Sequence, residues 1–180
     1  MIQTTSERWW SEVKADNQKL EKWLQRQYVG EFAAVHLLAE ILLKYGSQMT
    51  EFERSNVAKV AHQELLHGTW ISELLNSRGV SPEDNASATR RYWNEVLPSV
   101  TDFKTSMQAA HQAENMRLAR IRTIANDEDA PEDIRNVFKS ILPHEEWHEV
   151  IFSEMMGDSY SDSLEAAHKQ GLFALSLVLE

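Results

Sequence analysis

Four glutamates and two histidines are the residues of this chain whose types and spacing could do chemistry. Glu31 and Glu114 stand singly, Glu64 and His67 form one Glu-x-x-His, and Glu145 and His148 form another. Each falls in an apolar stripe. The first runs Leu20, Leu24, Gln27, Glu31, Val35, Leu38 and Leu42, and the second Val57, Val60, Glu64, His67, Ile71 and Leu74. The third runs Phe103, Met107, Ala110, Glu114, Leu118 and Ile121, and the fourth Ile134, Phe138, Ile141, Glu145, His148, Phe152 and Met155. Steps of three and four put each set on one helix face. An unpaired carboxylate in a core is strongly unfavourable, and four in one core would also repel each other. Cations between them remove both difficulties. Four carboxylates and two imidazoles can hold two divalent ions, and this donor set suits iron or manganese.

These stripes require long helices. A helix is expected from Asp16-Asn17 to Tyr45-Gly46, and a second from the capping box Thr50-Glu51-Phe52-Glu53 to Arg78-Gly79. Asp102 caps a third that reaches about Asn126, and Pro131-Glu132-Asp133 opens a fourth that ends near Gly157. Each has about 24–29 residues and so spans about 36–44 Å. Ser6 to Ala15 reads as a helical turn or two. Ser81-Pro82-Glu83-Asp84 reads as a new start with Pro in its first turn, followed by a short helix over Ser87 to Val96 that Leu97-Pro98 ends. An amphipathic segment covers about Asp162 to Leu179, and no segment alternates like a strand. The expectation is an all-α, antiparallel four-helix bundle in one domain, residues 1–180. Its core is residues 16–157, with a long central crossover from Gly79 to Thr101 and short extra helices. The interval from Glu31 to Glu64 nearly equals that from Glu114 to Glu145, so two helical hairpins would bring all six residues to one level.

In this order the residues resemble the ferritin-like di-iron carboxylate superfamily, especially its bacterioferritin and rubrerythrin branches. The superfamily pattern is Glu, Glu-x-x-His, Glu, Glu-x-x-His on four helices. The resemblance covers about Asp16 to Gly157. It implies that Glu64 and Glu145 bridge two iron ions, that Glu31 and Glu114 bind terminally, and that His67 and His148 complete the set. Some relatives place Asp before the ligand Glu and Arg before the ligand His. Here Gln63 and His144 hold the first position and Leu66 and Trp147 the second, so the second nitrogens of the histidines need other partners. The cysteine-rich electron-transfer domain of rubrerythrin has no counterpart, so electrons would come from an external donor.

Other residues have ordinary readings beside functional ones. Chance alone supplies about one Glu-x-x-His in such a chain. A third, Glu165 to His168, has no lone Glu before it and reads as a surface pair. His111 is either a hydrogen-bonded core or flank histidine, or an extra ligand or a support for the ligands. His144, one turn before His148, reads as a support for the ligands or a structural residue and not as a ligand, and His62 and His36 lie off the stripe. Arg117 either neutralises Glu114 or faces solvent. Pro143 cannot donate to the Lys139 carbonyl; the bend that follows is either merely tolerated or aims Glu145. Trp70 and Trp147 lie near the ligands in sequence, but tryptophans are more often core anchors than redox relays.

Composition narrows the function. The 180 residues carry a formal net charge of −10 and are 42% hydrophobic and 26% charged. The charge argues against a nucleic-acid partner. With no cysteine, disulfides, zinc–thiolate sites and cysteine-bound iron–sulfur clusters are excluded. The N-terminus lacks the blocks of a signal peptide and no apolar run approaches a membrane span, so a cytoplasmic location is expected. The apolar run Gly171 to Leu179 would cap the bundle, form a homodimer contact or touch a membrane surface, the last fitting least because positive charges are few. The expected activity is that of a di-iron oxidoreductase using oxygen or peroxide on an unknown small-molecule substrate. No catalytic residue is assigned beyond the metal ligands. The alternatives are a ferroxidase, iron-storage or peroxide-scavenging role, and a metal-free helical interaction scaffold.

Overall fold

The computed structural model describes residues 2–83 and 87–176. Among them there are seven α-helices and one short 3-10 turn, and no strand. The helices are α1 (Ile2–Lys14), α2 (Asn17–Tyr45), α3 (Glu51–Ser77), α4 (Ser87–Val96), α5 (Phe103–Asn126), α6 (Glu132–Met156) and α7 (Asp162–Ser176); Leu97–Ser99 form the turn after α4.

Side chains set the starts of the long helices. The Asp16 carboxylate accepts from the Gln18 and Lys19 amides. Thr50 and Glu53 satisfy each other's backbone amides in a capping box, and Asp102 and Thr105 do the same ahead of α5. The expected bounds of α2, α3, α5 and α6 agree with those observed to within a residue or two. The N-terminal segment is a full helix of 13 residues, longer than the expected turn or two. Its Trp10 buries against Trp23 and donates to Asp127, which anchors α1 to the loop after α5. Ser81 to Glu83 are not helical, Asp84 lies outside the described residues, and α4 spans Ser87–Val96. Of the expected C-terminal segment, 177–179 lie outside the described residues.

The four long helices pack α2 on α3, α3 on α6 and α6 on α5, while α2 and α5 meet only narrowly. Two apolar clusters divide their length. One joins Leu20, Trp23 and Leu24 of α2 to Ile71 and Leu75 of α3, Ile121 and Ile124 of α5, and Ile134, Phe138 and Ile141 of α6. The other joins Leu38 and Tyr45 to Val57 and Val60, Phe103 and Met107, and Phe152 and Met155. The first cluster holds the starts of α2 and α6 and the ends of α3 and α5, and the second the reverse, so each long helix runs opposite to those it packs on, while α3 and α5 share a direction. α3 and α2 come close enough that a Cβ on Gly68 would stand 2.6 Å from the Phe32 ring. α4 and α7 pack on each other and, through Ala109 and Ala113, on the flank of α5. No helix among the described residues is long and apolar enough to cross a membrane.

Candidate metal centre

Between the two apolar clusters, all four long helices turn acidic or imidazole side chains inward. α2 contributes Glu31, α3 Glu64 and His67, α5 Glu114, and α6 Glu145 and His148. All six are buried, Glu64, His67, Glu145 and His148 completely so. The structure brings them together in two overlapping sets. Glu31, Glu64, His67 and Glu145 form one, and Glu64, Glu114, Glu145 and His148 the other; within each, one donor atom per residue lies within 4.8 Å of the rest. Glu64 and Glu145 belong to both. Such a group of buried carboxylates and histidines could hold a metal ion.

Both histidines present Nδ1 to the carboxylates. His67 Nδ1 lies 3.3 Å from Glu145 and 3.7 Å from Glu31. His148 Nδ1 lies 3.0 Å from Glu64, 3.6 Å from Glu145 and 3.9 Å from Glu114. Their Nε2 atoms are held from behind. His148 Nε2 meets Gln63 Oε1 at 3.0 Å, and His67 Nε2 meets His144 Nδ1 at 2.9 Å. An amide oxygen can only accept, so the His148 Nε2–H donates to Gln63 and Nδ1 is the nitrogen turned to the carboxylates. The arrangement is reciprocal. The residue before each Glu-x-x-His glutamate holds the histidine on the opposite helix.

Eight polar atoms of this cluster are buried with no hydrogen-bond partner: Glu31 Oε2, both oxygens of Glu64, Glu114 Oε2, both oxygens of Glu145, and Nδ1 of each histidine. Only four other described side-chain atoms share that condition. Buried polar atoms are nearly always satisfied, and leaving one unsatisfied costs about 1–3 kcal/mol. Converging, orphaned electron-pair donors of this kind match what a coordinated cation requires.

Electrostatics show how the cluster is balanced without an ion. Burial raises every carboxyl, and neighbours then separate them. Arg117, with His67 and Glu64 close by, overrides burial at Glu31 and holds it at about 2. Arg117, His148 and His67 likewise keep Glu145 well below the usual range. Burial and the charges of Glu145 and Glu31 push Glu64 far up, and burial and Glu145 do the same to Glu114. Burial lowers His67, but contacts with Glu145 and Glu31 outweigh it and raise it to about 9. Arg117 and His67 thus favour the anionic form of Glu31 and Glu145, while burial and like charge favour the protonated form of Glu64 and Glu114.

Arg117 does not face solvent; its charge acts on Glu114, but its direct bond is to Glu31. It is 18% exposed and bonds Glu31 directly, with Glu145 at 3.6 Å and Glu64 at 3.8 Å. One turn beyond Glu114 on α5, it points across the helix interface to α2 instead of out to water. His111 joins neither set. It meets Glu149 at 3.2 Å and Asn115 at 3.0 Å on the α5–α6 flank. His144 backs His67 and stacks against both the His67 and Trp70 rings. His36 and His62 are exposed. Trp147 meets the His148 ring edge-on and carries Lys59 over its face. α6 continues unbroken through Pro143. Glu165 and His168 are not a surface pair. His168 Nδ1 meets the Tyr92 hydroxyl at 2.7 Å and Glu165 accepts from Gln112, tying α7 to α4 and α5.

The narrow meeting of α2 and α5 leaves a cavity of about 920 Å³ along their seam. Gly30 and Ala34 of α2 and Ala110 and Ala113 of α5 line its middle. Tyr92, Trp93, Leu172 and Leu175 of α4 and α7 close one side, and Glu114 and Arg117 stand in its wall. Nothing in the sequence pattern marked it, because small residues on a stripe read equally well as close helix packing. No family model matches the sequence, and comparison with curated proteins and with solved structures returns no match.

Proposed function

We propose that this chain is a ferritin-like di-iron oxidoreductase, a four-helix bundle whose core binds two iron ions and uses oxygen or peroxide to oxidise a small-molecule substrate. The observation that carries the reading is the set of eight partnerless oxygen and nitrogen atoms converging from four helices at one level. A purely structural polar network would pair these atoms with each other or with donors. Arg117 reaches one Glu31 oxygen and leaves the eight without a hydrogen bond.

Glu31 and His67 would hold one ion, Glu114 and His148 the other, and Glu64 and Glu145 would be shared, since each belongs to both ligand sets. Bound iron would supply two electrons to oxygen or peroxide; manganese fits the same donors. Gln63 keeps His148 in the tautomer that offers Nδ1. The apolar clusters on either side exclude water from the charged centre. The cavity reaching Glu114 supports substrate oxidation over iron storage, because a storage site needs no apolar chamber beside it.

Metal analysis tests the reading. After anaerobic reconstitution with ferrous iron and desalting, the wild-type chain retains iron stoichiometrically, and the Glu64→Ala/His67→Ala variant retains none. A wild-type chain that comes through with no bound iron or manganese would leave only a metal-free scaffold. Size-exclusion chromatography adds a second check, since elution as a ferritin-sized shell would move the assignment to iron storage. Gln63→Leu removes the acceptor behind His148, and iron affinity measured by competition with a chelator falls by about 10–100-fold. An unchanged affinity would mean that Gln63 does not orient His148.

A further inference from the structure

We propose that the cavity between α2 and α5 is the binding site of an anionic amphiphile, a molecule with an extended apolar chain and a single anionic head, and that this is the substrate class of the centre. The assignment of the ligand as substrate rests on the di-iron reading; its binding does not.

The middle of the cavity is apolar and deliberately spacious. Gly30 lies within α2, where glycine costs about 1 kcal/mol relative to alanine. A Cβ there would meet nothing within 4 Å. Packing therefore does not demand glycine at that position, whereas an open chamber does. Leu37, Leu38 and Ile41 continue the apolar wall toward the end of α2.

The end of the cavity near α1 has a different chemistry. Lys19, Lys22 and Arg26 of α2 and Arg120 of α5 all line it. None of the four has an ion-pair partner among the described residues. Glu12 also lines that end, but it is engaged by Arg8. Arg120 lies on the Trp9 ring, 4.8 Å from its centre. Four cations gathered beside a single carboxylate, itself paired with Arg8, are unexpected on a chain of net charge −10, and like charges in one place are unfavourable unless an anion joins them. At the other end Glu40 and Lys44 stand together with opposite charges and offer no comparable site.

Distance relates the two features. Arg120 lies six residues beyond Glu114 on α5, a rise of ~9 Å along the helix. A head held at Arg26 and Arg120 would thus lay its chain along Gly30 and Ala113, with a carbon several bonds from the head beside Glu114. A cavity of about 920 Å³ is at the upper end of those that take small molecules.

The test is calorimetric titration of the full chain with dodecanoate, dodecanol and dodecyltrimethylammonium below their micelle concentrations. Saturable, stoichiometric dodecanoate binding is expected. In Arg26→Gln/Arg120→Gln its affinity falls ~10–100-fold, the loss expected for hydrogen bonds to a charged group, while dodecanol binding is unchanged. Gly30→Leu, whose side chain enters open space and whose helix propensity is better, folds normally and loses both ligands. Dodecyltrimethylammonium binding as tightly as dodecanoate, retention of dodecanoate by Gly30→Leu, or no saturable binding would each overturn the proposal; a seam covered by a second copy of the chain would give the last. Glu64→Ala/His67→Ala separates the two readings. It should bind dodecanoate while holding no iron, so loss of metal binding and loss of the pocket are seen independently.

Discussion

Glu145→Gln should abolish tight binding of both ions at once, while Glu31→Gln should weaken only one. Glu145 is the residue whose two oxygens face opposite ways, Oε1 3.3 Å from His67 Nδ1 and Oε2 3.6 Å from His148 Nδ1. The amide keeps the shape and removes the charge that both sites share. Truncating one member of a buried, hydrogen-bonded charge group costs about 2–5 kcal/mol, so each ion should lose at least about 30-fold in affinity. Glu31 belongs to a single ligand set, and its replacement should leave the site at Glu114 and His148 loaded. Metal content after desalting, with a titration monitored by competing chelator, distinguishes the two variants. Equal losses in Glu145→Gln and Glu31→Gln would mean that Glu145 is not shared.

The second large effect is on stability. The metal-free core holds four carboxyls, two imidazoles and a guanidinium away from water, with eight atoms unsatisfied. Ions that bind only the folded chain stabilise it by about 4 kcal/mol per site at a thousandfold excess over Kd. For two sites in a chain of this length the melting temperature should rise by on the order of 15–30 °C. The Glu64→Leu/Glu145→Leu variant should show the opposite pattern. Buried charges replaced by apolar groups of similar size often stabilise, so its melting point should exceed that of the metal-free wild type and ignore added iron. Differential scanning calorimetry with and without a chelator measures both. If the wild-type chain melts at one temperature in either condition, no ion reaches the core.

Much of the positioning was legible in the residue order. Periods of three and four placed Glu31, Glu64, Glu114 and Glu145 on buried faces, and caps at Asp16, Thr50 and Asp102 set where those faces start. Such features are local, governed by one helix at a time. Contacts between helices were not legible. Arg117 follows Glu114 on α5, and no period says whether a long side chain there turns to solvent or across to Glu31. Gln63 and His144 were visible as departures from the pattern, yet only the packing of α3 on α6 shows that each serves the histidine of the other. His111 has the right spacing to approach Glu114, but Glu149 on α6 captures it instead. His168 read as surface decoration because the sequence does not show that Tyr92 of α4 covers α7, an approach that leaves no room for a Cβ on Gly171.

The uneven packing of the long helices has a mechanical consequence. Glu64 and Glu145 are mounted on α3 and α6, which are braced on both sides by neighbouring long helices. Glu31 and Glu114 are mounted on α2 and α5, which face each other across a gap. The centre therefore has a stiff half and a compliant half. On the proposed function, a guest that pried the gap wider would displace the two outer carboxylates and leave the inner pair in place, so that filling the chamber would retune bound ions.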